Sequence, residues 1–416
     1  MQRTIVAIGA ILFSTAIFVA GNGLVGLLIP ARAHFAGFSE LAIGLIGSAY
    51  YVGFVSGCFA GTRLLERVGH IRLFAIGAGV AAASTLAQSM FPSETVWSLM
   101  RGLFGFAAAN MYMVIESWLN ERATNEVRGR IFSFYLIVNF ASIILGQMLY
   151  STARVESAAL FSLCAIAYSL CLIPVCLTRL PQPMSVRVPA VRPLRIYRIA
   201  PVGIAGCIAV GLANGAIWTL APVYALDHGF AKGWLSLFMS LFTLGGALIQ
   251  VPLGRFSDRM DRRFIIASVC SISAALGVTI ALLGHANRFE LLGLITLFGF
   301  SALPLYGLTV AHTNDRVARE DFIEASAALL MLSSLASVIG PPVAAIVMGY
   351  AGAASLFLYT ATVHAAMAIF TLVRLRITDA PASEHHGPFE PVPQQSSPAA
   401  SELDPRSAAG AEKASA

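Results

Sequence analysis

Gly254-Arg255-Phe256-Ser257-Asp258-Arg259-Met260-Asp261-Arg262-Arg263 packs six charges into ten residues of a chain that is only 12% charged, and apolar sequence flanks it on both sides. The surroundings explain the contrast. The chain has 416 residues, of which 57% are hydrophobic, with 36 Gly and 19 Pro, and its mean hydropathy is +0.77. That composition lies far from a water-soluble globule and reads as a membrane protein. A spanning helix needs about 20 mostly apolar residues. The sequence supplies them near 5–29, 41–62, 71–90, 95–117, 130–152, 157–178, 199–221, 234–254, 264–284, 289–312, 322–348 and 353–373. Each run is long and continuously apolar, without the alternation of a barrel strand. The expected fold is therefore all-α, with twelve transmembrane helices, and the quoted stretch is the loop between spans 8 and 9.

Only Met1 to Thr4 precede the first span, which is too long for a signal-peptide core, so no cleavage is expected. Placing the amino terminus inside puts on one face Arg3, Arg63, Arg67, Arg72, Arg122, Arg128, Arg130, Arg179, Arg187, Arg192, Arg195 and Arg198, then Arg255, Arg259, Arg262, Arg263, Arg316, Arg319, Arg374 and Arg376. The opposite face has Arg32, Arg154, Lys232 and Arg288, and twenty cations against four orients the protein by the positive-inside rule. Both termini are then cytoplasmic. The net charge of +6 and the pI near 9.1 follow from topology, and nucleic-acid binding is excluded. The expected divisions are a bundle at 1–178, an inter-bundle loop at 179–198, a second bundle at 199–376, and a disordered tail rich in Pro, Ser, Ala and Glu at 377–416. Cys58, Cys164, Cys171, Cys176, Cys207 and Cys270 all fall in spans without a CxxC pair, as small reduced packing residues do, and neither metal nor cofactor is expected.

The loop has an echo. Glu66 and Asp258 stand 192 residues apart, and the same shift pairs Arg63 with Arg255, Arg67 with Arg259 and Gly53 with Gly245. It also carries Asn22-Gly23 onto Asn214-Gly215, Pro30 onto Pro222, Ala33 onto Ala225, and Gly37-Phe38 onto Gly229-Phe230. One offset held over about fifty residues marks an internal repeat. Six spans separate the copies, so both halves enter the membrane in the same direction, as parallel repeats do.

The motifs then resemble a known family. Gly254 to Arg263 is similar to the loop signature G-x-L-x-D-R-x-G-R-R/K of the major facilitator superfamily, departing at Phe256 and Asp261. In the first-half copy Leu64, Glu66, Arg67 and Gly69 fit, while Thr62, His70 and Ile71 depart. Arg101 to Ala109 resembles the family's R-x-x-x-G motif of span 4. Within the superfamily, Val114-Ile115-Glu116-Ser117, Arg128-Gly129-Arg130, Leu145-Gly146-Gln147 and Gly340-Pro341 resemble the YcaD-type transporters, through all twelve spans and not the tail. The resemblance implies two parallel six-helix bundles around a central site, a small-molecule substrate, a proton as candidate coupling ion, and a monomer in the inner membrane.

A carboxylate at the membrane surface is costly alone, so Asp258, where span 8 ends, must find a cation. The resemblance implies a cytoplasmic gate built from Arg63, Glu66, Arg67, Gly69, Glu116, Gly254, Asp258, Arg259, Arg262 and Arg263. A mere positive-inside anchor accounts for Arg262 and Arg263 equally well, but not for the recurrence of Glu66 and Asp258. Glu116 follows Arg101 by 15 residues, roughly 22 Å along one helix, so the two cannot touch. It lies at the cytoplasmic end of span 4, as a gate partner, a proton carrier or a plain helix-end residue.

Arg101 lies about 9 Å below the outer surface, where it either snorkels outward or faces the cavity as the resemblance implies. Asn22 and Asn214 lie at a similar depth, and their amides must be satisfied between helices or at a site. Asn22, Asn214 and Arg101 form the expected upper polar layer, with Tyr50, Tyr51, Tyr112, Asn139, Gln147, Trp218 and Tyr306 as further candidates that packing alone also explains. His312 and His364 are expected to be neutral core or interfacial residues rather than proton relays, and Gly340-Pro341-Pro342 to break or kink span 11.

HExxH, GxSxG and a Walker lysine are all missing, so the chain is not expected to be an enzyme or an ATP-driven pump. Two readings remain: a secondary transporter that works by alternating access, and a transporter-like sensor or scaffold without flux. One intramembrane arginine and few intramembrane acids lean toward anionic or zwitterionic cargo.

Overall fold

A computed structural model describes residues 2–122, 128–177, 191–283, 287–377, 387 and 389. Arg179, Arg187, most of the inter-bundle loop and nearly all of the tail lie outside the described residues, as do the side chains of Arg3, Arg122, Arg128 and Arg319. Where water is absent, each backbone donor must find an acceptor within its own segment. Accordingly every regular element among the described residues is helical. The helices are α1 (Gln2–Phe35), α2 (Glu40–Val68), α3 (His70–Met90), α4 (Glu94–Arg122), α5 (Arg128–Leu149), α6 (Ala159–Leu170), α7 (Leu172–Leu177) and α8 (Pro193–Ile199). Then come α9 (Pro201–Asp227), α10 (Gly233–Ser257), α11 (Arg262–Leu283), α12 (Arg288–Ala302), α13 (Leu305–Asn314), α14 (Phe322–Ala351) and α15 (Ser355–Ile377). Twelve segments are long and apolar enough to cross a membrane, with α6 and α7 forming one and α12 and α13 another.

Two proline sites behave differently. Span 11 carries Gly340-Pro341-Pro342, yet α14 is continuous through it. Span 10 breaks at Leu303-Pro304, where the proline removes a backbone donor and starts the next helix.

The helix pairings repeat with a shift of six spans. α2 packs on α4 as α10 does on α12, α1 on α5 as α9 does on α14, and α3 on α6 as α11 does on α15. The repeated residues of the sequence have physical reasons here. After α1, Gly37 adopts φ +78, and after α9 Gly229 adopts φ +77, a left-handed conformation that glycine tolerates. At both places the following phenylalanine closes the helix: Phe38 N donates to the Ala33 carbonyl at 3.0 Å and Phe230 N to the Ala225 carbonyl at 2.9 Å. This glycine-terminated cap therefore occurs twice, built from the same Ala, Gly and Phe.

Glycine also sets the closest helix crossings. A Cβ at Gly53 would strike the Gly102 carbonyl, and one at Gly105 would strike the Tyr50 carbonyl, so α2 and α4 meet backbone to backbone. In the second bundle Gly245 lies against the Thr296 carbonyl and Gly299 against the Phe242 carbonyl. Gly146 against Ala20 and Gly340 against Leu212 repeat the device between α1 and α5 and between α9 and α14. Small residues at crossings let helices make the van der Waals contacts that hold a bundle together where lipid is as apolar as the side chains.

The bundles meet at α2 with α14, α5 with α10 and α1 with α9. Ser48 Oγ donates to the Val338 carbonyl at 2.6 Å, the Gln147 amide and the Thr243 hydroxyl bond at 3.2 Å, and His34 faces Asp227 at 3.5 Å. All three lie away from the arginine-rich end, which carries Arg262, Arg263 and Arg374. A Cβ added at Gly44 would sit 2.9 Å from the Ala345 Cβ and from the Pro341 carbonyl, so this half of the seam is tightly closed.

If the glycine crossings set the helix spacing, Gly105→Val must push α4 off α2. Overpacking of this kind costs about 1–3 kcal/mol. A melting curve in detergent is expected to fall by several degrees for Gly105→Val, whereas Gly79→Ala, with nothing within 4 Å of the added carbon, is expected to leave it unchanged.

Candidate functional site

Between the bundles lies a cavity of about 180 Å³. Its wall is supplied by α1, α2, α4, α5, α9 and α10, with Leu303 below α12. Asn22, Tyr50, Tyr51, Arg101, Tyr112, Asn139, Gln147 and Trp218 all line it. Asn214 and Tyr306 do not. Asn214 is buried on α9 one turn, roughly 6 Å, nearer the arginine-rich end than Trp218, and Tyr306 belongs to the second core cluster with α13. The wall also includes Gln250, Thr219 and Phe104, to which the sequence reading assigned no role at the site. The spacing of Phe104 from Arg101, one helical turn, could have placed it on that face.

Most of the wall's polar groups are already engaged. Asn22 Nδ2 donates to Tyr112 Oη at 3.3 Å, and Tyr168 Oη donates to Asn22 Oδ1 at 3.3 Å. Asn139 Nδ2 donates to the Tyr135 carbonyl at 2.8 Å. Arg101 is different. It does not snorkel: the side chain is 9% exposed, with its guanidinium 4.9 Å from the Tyr50 ring centre and 5.1 Å from that of Phe104. Its Nε and Nη1 have no hydrogen-bond partner.

At the arginine-rich end the two copies of the loop motif differ. Gly69 ends α2 at φ +78, the tight link into α3. Arg63, Glu66 and Arg67 are exposed on the last turns of α2. Glu116 is fully buried and accepts a hydrogen bond from Tyr135 Oη at 3.1 Å.

In the second copy the charges form a compact network. Arg262, 1% exposed, donates through Nε to Asp315 Oδ2 at 2.6 Å, through Nη1 to Ser257 Oγ at 2.7 Å, and through Nη2 to Asp258 Oδ1 at 2.8 Å. Nη2 also donates to the Gly387 carbonyl at 2.5 Å, and Phe389 N donates to Asp258 Oδ2 at 3.1 Å. The Phe389 ring occupies the notch above Gly254, where a Cβ would collide with it. Arg263 pairs with Asp261 at 2.7 Å and reaches the Arg374 carbonyl at 3.4 Å, while Arg259 is exposed. Burial alone would raise the Asp261 carboxyl. Hydrogen bonds from the Arg263 side chain and backbone N–H, with that charge, instead hold it below the usual carboxylate range. Its contribution to stability is therefore present above the unfolded value near 4 and is lost as the pH falls through the lower folded value.

A third cluster escaped the sequence reading. Arg192 forms a two-pronged bond to Glu324 at 2.9 and 2.8 Å, and Arg195 binds Asp321 at 3.0 and 2.8 Å and Glu324 at 3.0 Å. It fastens α8 to the start of α14. The signal was available: Asp321 and Glu324 open a span on the face where cations predominate. His312 and His364 are buried, and His364 Nδ1 lies 2.8 Å from the Thr360 carbonyl. The six cysteines are free thiols, of which Cys176 is exposed.

The chain matches the family model of the Major Facilitator Superfamily over residues 11–288 and 203–409. It belongs to that superfamily and is a multi-pass membrane protein. It is similar to the uncharacterized MFS-type transporter YcaD of Escherichia fergusonii, 26% identical over 377 residues that cover 90% of this chain and 96% of the relative. YcaD of Salmonella newport is 26% identical over 370 residues, 88% of this chain and 94% of the relative. Among solved structures, the nucleoside transporter NupG superposes with a TM-score of 0.73 at 13% identity, over 90% of this chain and 99% of its own. A bacterial homolog of the human lysosomal transporter Spinster, in an inward-facing and unoccupied conformation, gives 0.68 at 11% identity, over 89% of this chain and 95% of its own. These two likenesses carry the fold.

Removing one partner of a buried ion pair costs about 3–5 kcal/mol because the other charge stays behind in a poor solvent. Arg262→Ala, which takes the guanidinium from Asp315, is expected to cost that much in denaturant unfolding in detergent. Arg259→Ala is expected to stay within about 0.5 kcal/mol of the parent, as surface substitutions do. Arg262→Met combined with Asp315→Leu should recover most of the loss, which a purely steric role of Arg262 would not allow.

Proposed function

We propose that the chain is a secondary transporter that carries a small solute across the cell inner membrane by alternating access, driven by a proton gradient. The observation that carries this reading is the cavity at the seam of two like-oriented bundles, polar on part of its wall and closed over on the arginine-poor side. Residues 1–178 and 199–376 are the two bundles that rock, joined by 179–198. The protein acts as a monomer, with the arginine-rich end, both termini and the 377–416 tail in the cytoplasm. The network around Arg262 and the exposed Arg63, Glu66 and Arg67 are the two halves of the cytoplasmic gate. Glu116, a carboxylate buried within a span and held by Tyr135, supports proton coupling.

Alternating access requires the seam at Gly44 and Ala345 to part. A disulfide needs Cβ atoms about 3.5–4.5 Å apart, and a Cβ at Gly44 would lie 2.9 Å from that of Ala345, so the two helices need only ease slightly apart for the bond to form. In sealed proteoliposomes holding a pH-sensitive dye, addition of a transported solute from a metabolite panel is expected to move protons. Oxidising a Gly44→Cys, Ala345→Cys variant is expected to stop that movement, and reductant to restore it. Flux that persists through complete cross-linking would refute the rocking seam. Solute binding without flux in either state would favour a sensor.

A further inference from the structure

We propose that the cavity takes a small organic monoanion, whose carboxylate seats on Arg101 while its ring or short aliphatic body lies against Tyr50, Phe104 and Trp218. The inference rests on reading the cavity as the substrate site, and it is tested by binding rather than flux, so that the two can fail separately.

Four observations converge. Arg101 is the single charged residue in the cavity wall among the described residues, with no carboxylate there to answer it. Its side chain is more than nine-tenths buried, and two of its nitrogens lack any acceptor. The rings of Tyr50 and Phe104 fix the guanidinium's position. They return less than the cost of holding a cation away from water without a hydrogen-bonded counter-charge. Such a site is completed by a ligand. A guanidinium presents its donors as a planar fork that fits a carboxylate two bonds at a time.

The remaining wall defines the rest of the molecule. Three of its four amides, Asn22, Asn139 and Gln147, already spend a side-chain N–H on Tyr112, the Tyr135 carbonyl and Thr243. A sugar or any polyhydroxylated solute would need donors and acceptors all around the wall. Apolar and aromatic surface makes up most of it. One cation and no acid favour one negative charge over two, because a second would be left unanswered at low dielectric. The volume, about 180 Å³, is smaller than the roughly 300 Å³ and upward of pockets for drug-sized ligands.

The probes are benzoate, its neutral isostere benzamide, the cation benzylamine, and sodium chloride, each titrated against the full-length protein in detergent while its melting temperature is followed. Benzoate is expected to raise the midpoint saturably and the other three are not. Arg101→Gln is expected to weaken benzoate at least about tenfold, the equivalent of one charge-assisted hydrogen bond, and Arg101→Lys to weaken it less. Without ligand, Arg101→Gln should melt no lower than the parent, since it removes an unanswered charge, and this shows that the variant is folded. The proposal is overturned if benzoate gives no shift, if benzamide, benzylamine or chloride shifts the midpoint as much, or if Arg101→Gln binds benzoate undiminished. A flux-less sensor would still bind benzoate through Arg101. A transporter of other cargo would show flux and fail here.

Discussion

A charge withdrawn from water has to be answered by something nearby, and in hydrocarbon the choice of answers is short. Most of what distinguishes this protein's interior follows from that constraint. At the arginine-rich end Arg262 is answered by two carboxylates, a hydroxyl and a carbonyl. The result ties α10, α11 and α13 together. Arg192 and Arg195 are answered by Asp321 and Glu324, which anchors the chain entering the second bundle. Arg101 alone among these is met by ring faces and by no acid. The same rule that makes the first two clusters structural makes the third a place of unfinished chemistry.

The second organising element is duplication with unequal use. The glycine cap after α1 recurs after α9, and the backbone-close crossing of α2 on α4 recurs in α10 on α12. The architecture is thus written twice in the same residue types. The charged loops are not used alike. The copy after α10 is built into a buried network, while the copy after α2 leaves Arg63, Glu66 and Arg67 at the surface. The halves thus share a scaffold and differ in how firmly their loops are fastened.

The fold was legible because its signals are long. Apolar runs of about 20 residues leave one secondary structure available, and an offset that unites Gly53 with Gly245 and Phe38 with Phe230 leaves one arrangement of halves. Of the candidate residues, helical counting placed Asn22 and Arg101 at a similar level, and both line one cavity. Rotation about the helix axis is not encoded in level. Asn214 matched Asn22 in register yet lies a turn away from the cavity wall. Contacts between distant segments were harder still, because nothing local to Asp315 or Glu324 names Arg262 or Arg192 as partner. Pro341 and Pro342 do not break α14, whereas Pro304, which carried no motif, separates α12 from α13.

The notch above Gly254 has a practical side. A glycine leaves room there for the Phe389 ring, and the backbone at Gly387 and Phe389 hydrogen bonds to Arg262 and Asp258. Gly387 and Phe389 are thereby structural members of the loop network, seated on the charges that end α10. Reporter fusions or purification handles joined directly behind Phe389 would pull on that joint and, through it, on the charges that close the end of α10.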